Sequence, residues 1–113
     1  MIEKLIEAEG TKYAEARGWL VYKWSSPGKS GILDRLYFKN GVAFALEFKT
    51  TGKKATPKQR AEAERLQAAG IPCRCCDTVA ATRSFIDDME YIATCEYESP
   101  LLCKLVDDLT SFK

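Results

Sequence analysis

Apolar and polar residues follow two different spacings along the chain. Apolar residues recur at helical spacing over residues 2–17, and they are Ile2, Leu5, Ile6, Tyr13 and Ala16. Gly18 is well placed to end this first helix, because glycine readily adopts the left-handed conformation that follows a helix. Residues 19–24 are rich in aromatic and β-branched residues, which predicts a strand.

Two further apolar segments, residues 32–39 and 42–50, flank the dipeptide Asn40-Gly41. Asn-Gly between apolar segments is the strongest local signal for a β-hairpin with a two-residue loop. Such a loop pairs Lys39 with Val42, and counting outwards places Asp34 opposite Glu47. The second segment is apolar at every position before Glu47, which is typical of a central strand covered on both faces. A three-residue loop would slip this register.

The second half of the chain predicts helices around one more strand. A helix over residues 56–69 has a strong start signal, since Thr56 and Gln59 have the spacing of a capping box around Pro57. The remaining predicted elements are a strand over residues 71–76, a helix over residues 78–91 with Val79, Ile86 and Met89 on one face, and an amphipathic helix after Pro100. This order predicts a single α/β domain over residues 1–113, with a small mixed sheet and a central β-hairpin flanked by helices.

Composition and charge narrow the possible functions only slightly. The 17 basic and 16 acidic residues nearly cancel, so bulk charge gives no argument for a nucleic-acid partner. No apolar stretch approaches the roughly 20 residues of a membrane helix, and the N-terminus lacks a secretory signal. We therefore expect a protein of the cytoplasm, without a membrane partner. Because the chain has no histidine, Ser-His and Cys-His nucleophile arrangements are excluded.

Five cysteines and no export signal favour reduced thiols. Three of the five form a C-x-C-C cluster at Cys73, Cys75 and Cys76. A thiol-based metal-binding module on this cluster is one hypothesis, although the spacing lacks a clean C-x-x-C pair. Small buried apolar side chains are the more common use of such cysteines.

The predicted pairing of Asp34 with Glu47 is the most informative chemical feature. Directly opposed residues hold their Cβ atoms about 5 Å apart, so two carboxylates there repel unless a cation or a shared proton compensates. Lys49 lies two residues beyond Glu47 and projects from the same face. Two acids beside an ammonium group suit metal-assisted hydrolysis. The alternative is purely structural, with Asp34 paired to a nearby cation and Lys49 neutralising Glu47.

A longer set of spaced residues connects this hairpin with both helices. It consists of Glu7-x₁₀-Gly18-Trp19, Lys23, Ser26-Pro27-Gly28, Gly31-x-x-Asp34-Arg35, Glu47-x-Lys49, Gly52-Lys53-Lys54 and Gln59. Over about residues 3–76 this set resembles the virus-type replication-repair nuclease (VRR-NUC) family, within the PD-(D/E)xK superfamily of metal-dependent nucleases. Leu33 departs from the family, which usually has proline before the metal-binding aspartate.

The resemblance implies a restriction-endonuclease-like core and a set of roles. Asp34 and Glu47 would bind Mg²⁺ or Mn²⁺ with help from the Phe48 carbonyl, and Lys49 would serve the nucleophilic water. The catalytic set that it implies is Glu7, Asp34, Glu47, Lys49 and Gln59. The basic residues taken to border the site on two loops and to contact DNA phosphates are Lys29, Arg35, Lys53 and Lys54.

Two of these roles have alternatives. The apolar periodicity of the first helix favours Glu9 as the inward acid, whereas the resemblance favours Glu7, and Gly10 and Ala14 would give that face room for close approach. Gln59 would complete the site or simply cap its own helix.

The functional expectation is a small Mg²⁺- or Mn²⁺-dependent DNA endonuclease. Similar single-domain members imply a homodimer acting on branched DNA such as Holliday junctions, encoded by a phage or prophage and working in a bacterial or phage-infected cell. The alternative is a non-catalytic nucleic-acid-binding or assembly protein that retains the nuclease fold.

Overall fold

The structure, a computed structural model, describes residues 1–25 and 33–95 and contains a mixed four-stranded sheet between helices. Its elements are α1 (Glu3–Glu15), β1 (Leu20–Lys23), β2 (Arg35–Lys39), β3 (Val42–Phe48), α2 (Pro57–Ala68), β4 (Cys73–Cys76) and α3 (Val79–Thr94). The strands lie in the order β1-β2-β3-β4; the first three are antiparallel, and β4 runs parallel to β3. The predicted mixed α/β architecture is confirmed. Lys29, Cys103 and the helix expected after Pro100 lie outside the described residues.

The hairpin between β2 and β3 has the predicted two-residue loop. Asn40 and Gly41 both have positive φ angles, 50° and 77°, as a type I′ turn requires. The register runs from Lys39 opposite Val42 to Arg35 opposite Leu46, and it matches the sequence prediction at each position. The Asn-Gly turn therefore fixes which residues face each other at the far end of the hairpin.

Strand β3 is covered on both faces, so it is the central strand that its composition predicts. Phe44, Leu46 and Phe48 belong to a core cluster with residues of α1 and α3. Ala45 belongs to a second cluster on the opposite face, together with Ala63 of α2. Residues 44–48 are all buried, and Glu47 is the charged residue among them.

Helix α1 packs through a different face from the predicted one. Its buried residues are Ile6, Gly10 and Ala14, whereas Ile2 and Leu5 are more than half exposed. The cause is close contact at Gly10, where a Cβ atom would lie 2.7 Å from Cγ2 of Thr82 in α3. The prediction that Ile2, Leu5 and Ala16 lie on the buried face is therefore wrong. The helix instead packs closely where Gly10 has no side chain.

Helices α2 and α3 begin close to their predicted starts. In α2, the Thr56 side chain accepts a hydrogen bond from the Gln59 amide and the Gln59 side chain bonds back to the Thr56 amide, which confirms the capping box. Thr78 caps α3, which runs to Thr94, three residues beyond the predicted end. Within the described parts of the chain, no helix is both long and apolar enough to span a membrane.

Candidate active site

Asp34 and Glu47 lie side by side at the end of the β2–β3 hairpin. The Asp34 amide donates to the carbonyl of Leu46 at 3.0 Å, although Leu46 pairs with Arg35, so the strands are offset by one residue at this end. The Asp34 carboxylate accepts the amide of Phe48 through Oδ2 at 2.8 Å. This bond anchors Asp34 at the end of β3, next to Glu47. The two carboxyl groups are therefore neighbours, although the paired register ends at Arg35 and Leu46 and does not include Asp34 opposite Glu47.

The electrostatics of the pair are unfavourable for two negative charges. Glu47 is only 3% exposed, and burial, together with the neighbouring Asp34 charge, raises its pKa to about 8, although Lys49 opposes the shift. Burial also raises the pKa of Asp34, against the lowering effect of the Phe48 amide. At neutral pH and without a cation, the pair consequently holds a proton.

Lys49 and Gln59 both contact the same oxygen of Glu47. Lys49 Nζ lies 3.5 Å from Glu47 Oε1, and Gln59 Nε2 donates to Oε1 at 2.8 Å. Gln59 Oε1 meanwhile accepts the Thr56 amide at 2.9 Å. The two roles weighed for Gln59 are thus combined: one end of its amide caps α2 and the other fixes the Glu47 carboxyl.

Glu7 lies on the site side of α1, and Glu9 does not. Glu7 Oε1 accepts a hydrogen bond from Arg35 at 3.1 Å, and its charge contributes to raising the pKa of Asp34 after burial. Glu9 instead lies 3.8 Å from Arg83 of α3. At 3.6 residues per turn, Glu7 is about 60° from the centre of the buried face and Glu9 about 100°. The apolar periodicity favoured Glu9 because it took the exposed stripe with Ile2 and Leu5 as the buried face.

The donor set fits a hard divalent cation. Glu47 Oε2 is buried, and among the described residues no donor reaches it. A second carboxylate, Asp34, stands beside it, and the Phe48 carbonyl belongs to the same end of β3. Oxygen donors of this kind, with one or two carboxylates, suit Mg²⁺ or Mn²⁺ when substrate and water supply the rest. In the part of the chain that is described, no cluster of three or more Asp, Glu or Cys side chains surrounds a metal position.

The basic residues around the site differ in their surroundings. Arg35 is the first residue of β2 and forms a half-buried ion pair with Glu7, so its predicted place on a loop is wrong. Lys53 and Lys54 are exposed on the loop between β3 and α2. Lys29 lies outside the described residues.

The sequence prediction missed Asp77, which anchors the loop that carries Lys53 and Lys54. The Asp77 carboxylate accepts the Gly52 amide at 2.9 Å, and the Asp77 carbonyl accepts the Thr51 hydroxyl at 2.7 Å. Asp77 directly follows β4, at the carboxyl end of a strand parallel to β3. Polar residues at that edge of a parallel pair commonly serve a site, which is the signal that could have indicated Asp77.

The cysteine cluster does not form the thiol metal module. Successive residues of a strand point to opposite faces, so Cys75 and Cys76 cannot bind one ion together. Cys73 and Cys76 belong to different core clusters. Burial raises the pKa of Cys73 to about 12 and that of Cys76 to about 11, which keeps both as neutral thiols. Cys75 pairs with Glu47 across the parallel ladder.

Comparison with known proteins relates the chain to a curated nuclease by sequence and to a solved nuclease domain by structure. No protein-family model matches the chain. Over 70 residues the chain is 41% identical to "Putative nuclease p44" of Acyrthosiphon pisum secondary endosymbiont phage 1, covering 61% of this chain and 71% of that protein. A solved structure described as "VRR_NUC domain" superposes with a TM-score of 0.70 at 29% identity, covering 75% of this chain and 94% of that one.

Proposed function

Because this chain belongs to the VRR-NUC family of nucleases, we propose that it is a deoxyribonuclease that hydrolyses phosphodiester bonds with Mg²⁺ or Mn²⁺. The observation that carries this proposal is the buried acid pair Asp34–Glu47, with Lys49 beside it and one Glu47 oxygen without a donor. A fold does not bury two neighbouring carboxylates for stability alone, since burial raises the pKa of both and the Asp34 charge raises that of Glu47 further.

Asp34, Glu47 and the Phe48 carbonyl would hold the cation. When bound, it would polarise the phosphoryl group and lower the pKa of a water. Gln59 keeps the Glu47 carboxyl in one orientation, and the Phe48 amide does the same for Asp34. These bonds preorganise the acids before substrate arrives, which is how enzymes avoid reorganisation during the reaction.

Lys49 and Glu7 would act on the water and the substrate from two sides. The Lys49 ammonium stands at the acid pair and is mostly shielded from solvent, where it can orient the attacking water and stabilise the negative charge developing on phosphorus. Glu7 holds Arg35 at the edge of the site. Lys53 and Lys54 would contact phosphates, on the loop that Asp77 fixes. The proposed phosphate contacts also include Lys29 and Arg35, of which Arg35 is held by Glu7.

We further propose that the substrate is branched DNA, such as a four-way junction, and that the protein acts as a homodimer. The supporting argument is one of symmetry. One domain provides one acid pair, whereas resolving a junction requires two cuts related by a twofold axis. The chain would act in the cytoplasm of a bacterial or phage-infected cell.

The test uses a fluorescent four-way junction and a linear duplex with the same arm sequence, incubated with Mn²⁺, Mg²⁺ or EDTA. We expect cleavage with either metal, none in EDTA, and faster cleavage of the junction. Lys49→Ala should lower the rate by about 100-fold or more, whereas Lys12→Ala, which alters an exposed lysine of α1, should not.

Cleavage in EDTA, or an unchanged rate in Lys49→Ala, would contradict the metal-dependent mechanism. Binding without cleavage in any metal would support the alternative of a non-catalytic DNA-binding or assembly protein. Equal cleavage of duplex and junction would refute the preference for branched DNA, and an active monomer by light scattering would refute the dimer.

A further inference from the structure

Three large apolar side chains remain exposed on one face of β1 and β2. Leu20, Tyr22 and Phe38 are 58%, 55% and 38% exposed. Leu20 pairs with Phe38 and Tyr22 pairs with Leu36, so all three project from the same face of the sheet. The rings of Tyr22 and Phe38 meet edge to face with their centroids 6.0 Å apart. We call the surface formed by Leu20, Tyr22 and Phe38 the aromatic face, after its two rings.

The aromatic face is continuous with the acid pair. Leu36 pairs with Tyr22 on one side and with Ala45 on the other. Asp34 precedes Leu36 by two residues, and Glu47 follows Ala45 by two, so both acids project from this same face. Tyr22 is the diagonal neighbour of Asp34, and such neighbours lie about 7–8 Å apart. The Tyr22 ring thus lies beside the proposed reaction centre, and Phe38, four residues from Asp34 along the strand, extends the exposed face away from it.

The aromatic face is exposed because α2 covers only part of the sheet. The core cluster under α2 contains Leu33, Ala45, Ala63 and Cys73, with Trp24 and Leu36 packed at its margin. Helix α2 contacts β4, whereas α1 and α3 pack on the opposite side of the sheet. Beyond Leu36 no described element covers the sheet, and there the sequence places aromatic residues where polar ones would be expected.

From this geometry we propose that Tyr22 and Phe38 form a stacking surface for unpaired bases of the nucleic acid whose backbone lies at the acid pair. The inference rests on the proposed nuclease function and specifies its substrate: DNA with unpaired or extruded nucleotides next to the cleaved phosphate. Aromatic rings bind bases of any sequence by stacking, since every base has a π-face.

The area of the aromatic face favours bases over a second copy of the chain. Three side chains at these exposures offer on the order of 300 Å². A stable protein interface buries about 800 Å² per partner. Two stacked bases need far less surface, and their phosphates would extend towards the acid pair and the loop of Lys53 and Lys54.

Binding measured in EDTA tests the proposal without requiring cleavage. The probes are a single strand, a duplex with a single-stranded arm, and a fully paired duplex, each labelled with a fluorophore. Tyr22→Ala and Phe38→Ala should each weaken binding to the first two by about 5- to 150-fold and change duplex binding little. Tyr22→Phe should retain wild-type affinity, and Tyr22→Leu, which keeps an apolar side chain without a π-face, should not.

Tyr91→Ala is the matched control, since Tyr91 is 45% exposed on α3. It should leave every affinity unchanged. The proposal is overturned if the alanine variants bind all probes like the wild type, if they weaken duplex binding equally, or if Tyr22→Leu binds normally. It is also overturned if Tyr22→Ala converts a dimer to a monomer in light scattering, because the face then joins two copies. If the protein cuts no DNA in Mn²⁺, the nuclease proposal fails, while these affinities still decide whether bases stack there.

Discussion

Replacing Glu47 by glutamine should change how the stability of the metal-free protein depends on pH. Glutamine has nearly the same shape but cannot ionise. The wild-type carboxyl titrates with a pKa of about 8 in the folded protein, against an ordinary value of 4.5. Folding therefore favours its protonated form, so stability is full below about pH 4.5 and is lost as pH rises towards 8.

The size of the effect follows from the pKa shift. One pKa unit corresponds to 1.36 kcal/mol, so the wild type should lose on the order of 3 kcal/mol between pH 4.5 and pH 7 through this pair. Glu47 is almost fully buried, so solvent screens the effect little. Glu47→Gln should lack most of this loss, and its advantage over the wild type should grow from pH 5 to pH 8.

The assay is urea unfolding in EDTA at pH 5, 6, 7 and 8, for the wild type, Glu47→Gln and the control Glu64→Gln. Glu64 is exposed on α2, so its replacement should leave the pH dependence of the wild type intact. If the free energy of unfolding of the wild type and that of Glu47→Gln change equally with pH over this range, the reasoning is refuted, because Glu47 then does not cause the loss of stability.

Three further substitutions test the packing around the site. Gly10→Ala should destabilise by about 1 kcal/mol although alanine favours helix, because overpacking against Thr82 outweighs the gain in propensity; Thr82→Ser should restore stability in the double variant, and a stabilised Gly10→Ala would contradict the contact. Gln59→Ala should lower both the free energy of unfolding and the Mn²⁺ affinity measured by calorimetry. Thr56→Ala should lower only the free energy of unfolding, by about 1 kcal/mol. Equal Mn²⁺ affinities in the two variants would exclude a site role for Gln59. Tyr37→Phe should leave thermal stability unchanged or raise it, because the buried hydroxyl has no partner among the described residues, and a loss above about 1 kcal/mol would reveal one.

The parts of the site that depend on local structure were predictable from sequence. The Asn40-Gly41 turn determines the hairpin register as far as Arg35 and Leu46, so the proximity of Asp34 and Glu47 could be predicted by counting from the loop. The capping box likewise located the start of α2 and the position of Gln59. Each of these depends on residues close together in the chain.

The parts that depend on packing between distant segments were not predictable. The buried face of α1 is decided by the approach of Gly10 to Thr82, which are far apart in sequence. Apolar counting consequently selected the wrong stripe. The anchoring of the lysine loop by Asp77 and the pairing of Glu47 with Cys75 both require β4 to lie parallel to β3. The spacing of apolar residues within one helix or strand does not show which strand lies next to it in the sheet.

The locality of the hairpin also bears on the order in which the protein folds. Both acids lie at the open end of one antiparallel pair that is closed by a tight turn, and hairpins of this kind form within about 1–10 μs. Pairing of β4 with β3 must wait for the crossover through α2. We therefore expect Asp34 and Glu47 to meet early, while water still screens their charges. The desolvation of the pair falls on the late step in which α2 closes over β3, so a charge-neutralising substitution should accelerate the final closure and leave the formation of the hairpin unchanged.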